Sequence, residues 1–489
     1  MRPIPTTLAG IFFILLVCSS RAQDPFEDFF DSADPEFLRE KREAEEQFER
    51  MLELDAEFAA ILNRAWKELE LSTGIVPDTE PKPRVMPSAR PAERPPVEKP
   101  PETVPIVEPP EPTVTPETIE HLGTPVTFFR TTFPLRFGGD MRVALDGAVS
   151  EETISRYWEA LSRTAYEDCI DQLRQVSSQL GLNDWGYCLL LDRAAATVYG
   201  SETVECPLFI WFLLVKSGYD ARVGFIGGDI FVLVPSRTVV YNTPFYEFDG
   251  IRYYLTDLGT GDRTAKSLYT YEGSYTEVEQ SINLAVSEIP DISKTLYEKT
   301  FAFSYGDREY GLTVRLNGNM VDFFETYPQT SLDVYFAASV TSETAQSLLD
   351  GLRPAVAGME EFDAVNMLLR FVQTGFSYQT DKEQFGREKF MFPEETLSYP
   401  YSDCEDRSFL FAYIVSSLLG LDVIGLDYPG HVATAVKFSS PVEGDALDYN
   451  GVRYVICDPT YINANAGECM PSFRKIEPEI VRFRAGEEQ

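Results

Sequence analysis

Three side chains able to carry covalent chemistry recur at equal spacing near the C-terminus. Cys404 lies in Y-S-D-C-E-D-R-S, His431 in Y-P-G-H-V-A-T-A-V and Asp458 in R-Y-V-I-C-D-P-T-Y, with 27 residues from each to the next. The chain has two histidines, and the other, His121, borders a proline-rich stretch. A cysteine, a single histidine and an aspartate in that order fit a nucleophile, a general base and an acid that fixes the imidazole tautomer. A thiol is activated where a helix N-terminus and an imidazole stabilise its thiolate, and the imidazole then returns a proton to the leaving group. Asp403, Glu405 and Asp406 surround Cys404 with negative charge, which opposes a thiolate unless they point away or are paired, with Arg407 as the nearest cation in sequence. The structural alternative is a core cysteine, because free cysteines are commonly buried.

Local patterns predict the elements that would position these groups. Ser402 and Glu405 form an S-x-x-E capping box, placing Cys404 in the first turn of a helix. Phe409, Leu410, Phe411, Ala412, Ile414, Val415, Leu418 and Leu419 make that helix apolar almost all round, hence buried, and Gly420 can end it. Val423 to Leu426, a turn over 427–430 and a strand from His431 to Phe438 follow. A second strand runs from Gly451 to Asp458, opened by the hairpin-favouring pair Asn450-Gly451. If Phe438 faces Gly451, paired residue numbers add to 889 and His431 falls directly opposite Asp458, with Cβ atoms roughly 5 Å apart.

At these residues the chain resembles the transglutaminase-like superfamily, which has a papain-type fold. Asp403-Cys404-Glu405-Asp406 matches its G-D-C-x-D-like segment, Gly430-His431-Val432 its G-H-x-W-V-like segment, and Asp458-Pro459-Thr460 its D-P/D-T-like segment. The likeness covers residues 343–480 or so and departs where an aromatic residue often follows the histidine; Val432-Ala433 stand there. It implies a Cys404–His431–Asp458 triad and a thioester formed from a carboxamide or peptide bond. Water would resolve that thioester in a protease, amidase or deamidase, and an amine in a crosslinking enzyme. No cofactor is implied.

The same motifs recur, weakened, about 200 residues earlier. Phe128 to Pro134 resembles Phe323 to Pro328, and Ser150-Glu151-Glu152-Thr153 resembles Ser342-Glu343-Thr344. Glu205-Cys206, followed by an apolar helix ending at Gly218, echoes Asp403-Cys404. Asp249-Gly250-Ile251-Arg252-Tyr253 leading to Asp257 echoes Asn450-Gly451-Val452-Arg453-Tyr454 leading to Asp458. A period that long means two homologous domains rather than a solenoid. Asp229 stands where the second copy has His431, and pairing Val234 with Arg252 gives the constant sum 486 shared by Asp229 and Asp257. A carboxylate beside Cys206 would oppose a thiolate, so this copy is expected to be non-catalytic. Each copy opens with a strand-rich piece. In the second, Phe301 to Tyr305 alternates, and Asn317-Gly318 marks a hairpin before a strand at Leu332 to Phe336. A helix from Ala364 to Gln373 follows.

The expected class is therefore α+β, with a helical layer on an antiparallel sheet in each copy. The parts are a signal peptide (1–22), an acidic helical segment (23–75), a proline-rich linker (76–118), a degenerate domain (119–297), a strand-rich subdomain (298–342) and a catalytic domain (343–489). Arg2, the apolar run from Leu8 to Cys18 and Ser20-Arg21-Ala22 read as the signal, which implies a periplasmic or secreted protein with no later span. Leu15-Leu16-Val17 lacks the small residue wanted before a lipidated Cys18. Phe37, Ala44, Met51, Phe58 and Ala65 recur every seven residues, with Leu54 and Ile61 on the same side, predicting a helix that docks on a surface or an envelope partner. Residues 77–116 hold 14 of the 33 prolines, predicting an extended, disordered spacer.

A net charge of −36 argues against nucleic acid and anionic membranes as partners. No D-x-[DN]-x-[DN]-G loop and no CxxC pair occurs, and two histidines cannot build a zinc cage, so no metal is expected. Cys457 with Cys469, or Cys169 with Cys188, could form disulfides after export, while a reactive Cys404 must stay free. Two functions fit: an exported cysteine enzyme acting on an amide-bearing protein or peptide, or an envelope binding or structural protein that keeps the fold without the activity.

Overall fold

A computed structural model describes residues 35–72, 74, 87–90, 123–258, 265–276 and 278–483. The expected signal peptide, His121 and most of the linker lie outside these residues. No described helix is long and apolar enough to cross a membrane.

The chain is mixed helix and sheet, as the patterns require. It begins with α1 (Pro35–Leu62) and β1 (Lys67–Glu70), then the hairpin β2 (Thr124–Phe128) and β3 (Thr131–Leu135). Four helices follow: α2 (Glu151–Ser162), α3 (Tyr166–Gln179), α4 (Asp184–Tyr199) and α5 (Glu205–Lys216). Next come β4 (Arg222–Ile226), β5 (Asp229–Ser236), β6 (Phe245–Phe248), β7 (Ile251–Leu255) and β8 (Ser267–Thr270). A long hairpin, β9 (Leu296–Tyr305) with β10 (Arg308–Asn317), leads into α6 (Gly318–Glu325), α7 (Leu332–Ala337), α8 (Ser342–Val356) and α9 (Glu361–Thr374). After β11 (Ser377–Tyr378), α10 (Asp381–Gln384), α11 (Pro393–Ser398) and β12 (Tyr401–Ser402) stands α12 (Cys404–Leu419). The last strands are β13 (Asp422–Tyr428), β14 (His431–Lys437), β15 (Ala446–Tyr449), β16 (Val452–Cys457) and β17 (Glu479–Val481).

Two antiparallel sheets carry the same strand order. Five strands of the first run β6-β7-β5-β4-β8, and β1 is added beside β8; the second runs β15-β16-β14-β13-β17. Each follows one apolar helix, α5 or α12, buried along most of its length. In both sheets a two-residue turn with both φ positive joins the matching hairpin, Asp249-Gly250 in one and Asn450-Gly451 in the other. That geometry is why Asx-Gly stands at each. The first sheet also curls until its edges meet, because Ser72 exchanges two backbone hydrogen bonds with Phe245 (2.8 and 3.0 Å).

Several local expectations are corrected. The pairings Thr434–Cys457 and Val436–Val455 add to 891, not 889, and Leu233–Leu255 adds to 488, not 486. Both registers slip by the same two residues. Asn450-Gly451 joins β15 to β16 rather than the His431 strand to the Asp458 strand. Asn317 does not open a hairpin; its side chain accepts from the Asn319 N–H as the N-cap of α6. Leu332 to Phe336 is helical, not a strand: Tyr335 and Phe336 both pack against Phe409, with centroids 5.4 and 4.7 Å away.

The N-terminal segment is helix followed by strand, and the second half of α1 docks on its own chain. Phe58, Ala59 and Leu62 are buried, Phe58 against Trp158 (4.7 Å) and Tyr271 (5.5 Å). Burying that phenyl ring is worth about 2–3 kcal/mol. Asp55 forms a buried ion pair with Lys216. The expected disordered spacer also has an ordered contact: Ala89 donates to the Ile462 carbonyl (2.8 Å) and Ile462 to that of Pro87 (2.9 Å). All six cysteines from Cys169 to Cys469 are buried and free, so neither considered disulfide forms.

Candidate active site

Cys404 is the first residue of α12. The helix begins one residue later than the Ser402–Glu405 box implies. Asp403 is its N-cap, and the Asp403 N–H donates to Asp406 Oδ2 (3.2 Å). Ser402 instead lies in β12, where its Oγ accepts from Arg407 Nε (3.1 Å). Gly420 ends the helix at φ 69°, the left-handed conformation expected of a C-terminal glycine.

His431 opens β14 and Asp458 follows β16. The two-residue slip makes them diagonal rather than direct neighbours, yet His431 Nε2 and Asp458 Oδ2 meet at 2.9 Å. Asp458 Oδ1 accepts from the N–H groups of Thr460 (2.9 Å) and Tyr461 (3.1 Å). One carboxylate therefore orients the imidazole and caps the turn after Pro459. Gln373, fully buried on α9, holds this turn in place. Its Nε2 donates to the carbonyls of Asp458 (3.0 Å) and Ala464 (3.1 Å), and its Oε1 accepts from the Asn463 N–H (3.0 Å).

The other ring nitrogen, His431 Nδ1, has no hydrogen-bond partner of normal geometry, and Cys404 lies within interaction reach of the ring. Cys404, His431 and Asp458 are each 2% exposed. Burial disfavours an imidazolium, but the Asp458 carboxylate and then Cys404 outweigh it and raise His431 to about 10. Phe473 stacks on the imidazole (4.7 Å, 21° between planes) and Tyr428 flanks it at 6.3 Å. An aromatic wall thus reaches the histidine from elsewhere in the chain, although Val432-Ala433 follow it in sequence.

The acidic neighbours of Cys404 are inside the protein. The thiol donates to Glu405 Oε2 (3.1 Å), and Asp403, Glu405 and Asp406 are all buried. Burial first, then mutual repulsion, holds Glu405, Asp406 and the nearby Asp381 well above the usual carboxylate range. Arg407 donates to the carbonyls of Gln373 (3.2 Å) and Phe376 (3.0 Å), and burial lowers it to about 10. Gln373, Asp381, Glu388 and Phe473 have no motif of their own. A buried amide or acid outside any motif gives no sequence signal, so the sequence reading missed them.

The matching positions of the first unit form no such group. Cys206 donates to the Gly200 carbonyl (3.0 Å), and Asp229 and Asp257 are exposed. No family model matches the chain, and neither does any curated protein or solved structure.

Proposed function

We propose that the protein is a cysteine-dependent enzyme acting on amide bonds, transglutaminase-like in mechanism, with Cys404 as nucleophile, His431 as base and Asp458 as orienting acid. The observation carrying this reading is the buried His431–Asp458 contact at 2.9 Å, which leaves Nδ1 unpartnered beside a cysteine at a helix N-terminus. His431 takes the thiol proton, the sulfur attacks the carbonyl carbon, and the C–N bond breaks as the imidazolium protonates the leaving amine. Water or an amine then resolves the thioester. The shared strand order and matching turns support two tandem domains of this type, the first a non-catalytic copy. Export to the periplasm or medium, and a protein or peptide substrate, belong to the same proposal.

The envelope binding or structural alternative is favoured by the closure of the site, since all three groups are 2% exposed and the thiol hydrogen-bonds a carboxyl group. Iodoacetamide labelling decides between them. An enzyme labels Cys404 far faster than Cys206 at neutral pH, and His431→Ala slows it sharply. Equal rates at the two cysteines, or no effect of His431→Ala, refute the enzyme.

A further inference from the structure

The two sheets share a strand order but not a strand count. In the first, β1 pairs with β8, and Ser72, just beyond β1, reaches β6 at the far side of the sheet. Ser72 N–H donates to the Phe245 carbonyl (2.8 Å) and Phe245 N–H to that of Ser72 (3.0 Å). An extended piece of the N-terminal segment thus pairs with the outer edge of β6. Relative to the matching turns, Asp249-Gly250 and Asn450-Gly451, Phe245 and Ala446 hold the same position, each the first residue of its strand. The second sheet has no sixth strand among the described residues, and β15 forms its edge.

The ladder fixes where the backbone groups of β15 point. Ile456 N–H donates to the Asp445 carbonyl (3.1 Å), so the hydrogen-bonded positions of the antiparallel pair are Asp445–Ile456, Leu447–Tyr454 and Tyr449–Val452. Ala446 and Asp448 then turn their N–H and C=O groups away from β16. Among the described residues nothing bonds to those groups. Asp448 is exposed and the rest of β15 is half-buried. Ala446 therefore leaves open the two groups that Phe245 exchanges with Ser72. Proteins usually mask such an edge with proline, lysine, a bulge or a covering element. β15 has no proline, lysine or bulge, and no described strand covers it. At the opposite edge, by contrast, Pro478 precedes β17 and cannot donate.

We propose that the free edge of β15 binds an extended, basic peptide segment of a partner protein, which joins the sheet as an antiparallel strand. The antiparallel sense is that of Ser72 on Phe245. Main-chain hydrogen bonds supply the affinity in this mode and alternate side chains the selectivity. The charge around the edge selects a basic segment. Glu443 and Asp448 are exposed beside it, while Arg453 is engaged by the carbonyls of Val442 and Gly444, and Arg474 by Asp445 (3.0 Å). The same acids, on a chain of net charge −36, oppose the edge-to-edge pairing of two copies. Shared strand order, not the triad, supports this site, which stands whether or not Cys404 is a nucleophile.

The probe is a fluorescein-labelled peptide with the sequence of residues 67–72 in which both glutamates are replaced by lysine. That segment suits a strand site because its Leu69 and Leu71 pack on the inner cluster of the first sheet. Fluorescence anisotropy with the full chain should show saturable binding that weakens several-fold between about 50 and about 300 mM NaCl. Hydrogen exchange over residues 440–452 should slow when the peptide is bound. Of two peptides N-methylated at alternate residues, one should lose about tenfold and the other bind nearly as well, since an edge bonds every second residue. Ala446→Pro removes an outward N–H without touching the ladder to β16. It should weaken binding about tenfold while Tm and Cys404 labelling stay unchanged. Asp448→Lys, which keeps every backbone group, should also weaken it. No saturable binding in the millimolar range by the folded chain, or binding that neither variant changes, would overturn the proposal. A chain that sediments as a dimer and becomes monomeric with Ala446→Pro would assign the edge to a second copy. Binding that appears only after the chain is cut behind Phe483 would assign it to residues 484–489. Either result would also overturn the proposal.

Discussion

Asp458→Asn separates the two roles of that carboxylate. Asparagine keeps an oxygen for the Thr460 and Tyr461 N–H groups, so the turn survives. Towards His431 it loses the charge that outweighs burial. His431 then falls from about 10 towards its ordinary 6.5 or below. That change is worth about 5 kcal/mol in the preference for imidazolium. If the reactive form is a thiolate beside an imidazolium, Cys404 alkylation at neutral pH should slow by about three-thousandfold. The pH dependence gives a second, sharper reading. Because the folded histidine titrates above the unfolded one, its stabilising contribution is complete below pH 6.5 and is lost as pH rises through about 10. The wild type should therefore lose stability across that window in urea melts at successive pH values, and Asp458→Asn should lose much less. A variant that labels as fast as the wild type, and loses stability across the same pH window, would remove Asp458 from the mechanism and leave at most a Cys–His dyad.

Other side chains give equally direct tests. Gln373→Ala strips partners from two buried carbonyls and one N–H around Asp458, and should cost about 3 kcal/mol in urea unfolding; a loss too small to measure would show that water replaces the amide. Phe473→Ala opens a cavity against His431 and Tyr428 and should cost about 3 kcal/mol. It should also move the pH-dependent loss of stability to lower pH, as water screens the imidazolium from Asp458. Lys299 donates to the carbonyls of Leu397, Ser398 and Tyr399 at the end of α11, so Lys299→Met should cost roughly 1–2 kcal/mol while leaving Cys404 labelling intact.

The sequence by itself singled out Cys404, His431 and Asp458 as candidates and the kinds of element that carry them. A helix apolar on every side has to be buried, and Gly420 has to end it. Two Asx-Gly pairs have to make tight hairpin turns, because only small or Asx residues take both positive φ values at little cost. The same signals recur about 200 residues apart, and the two sheets share a strand order. Register was beyond the sequence for a specific reason. A slip of one residue would turn every side chain to the other face, but a slip of two keeps inside and outside unchanged. The apolar pattern therefore cannot tell 889 from 891; the β15–β16 hairpin decides it. Leu332 to Phe336 is ambiguous in the same way, because five mostly apolar residues fit a strand or a helical turn until Phe409 provides a surface for Tyr335 and Phe336. Tertiary structure alone brought Asp381, Glu388 and Gln373 to Cys404 and Asp458, and Phe473 to His431. Local propensity depends on a residue and its near neighbours in the chain. Which distant acid or ring is pressed against a given side chain is set by how the whole chain packs.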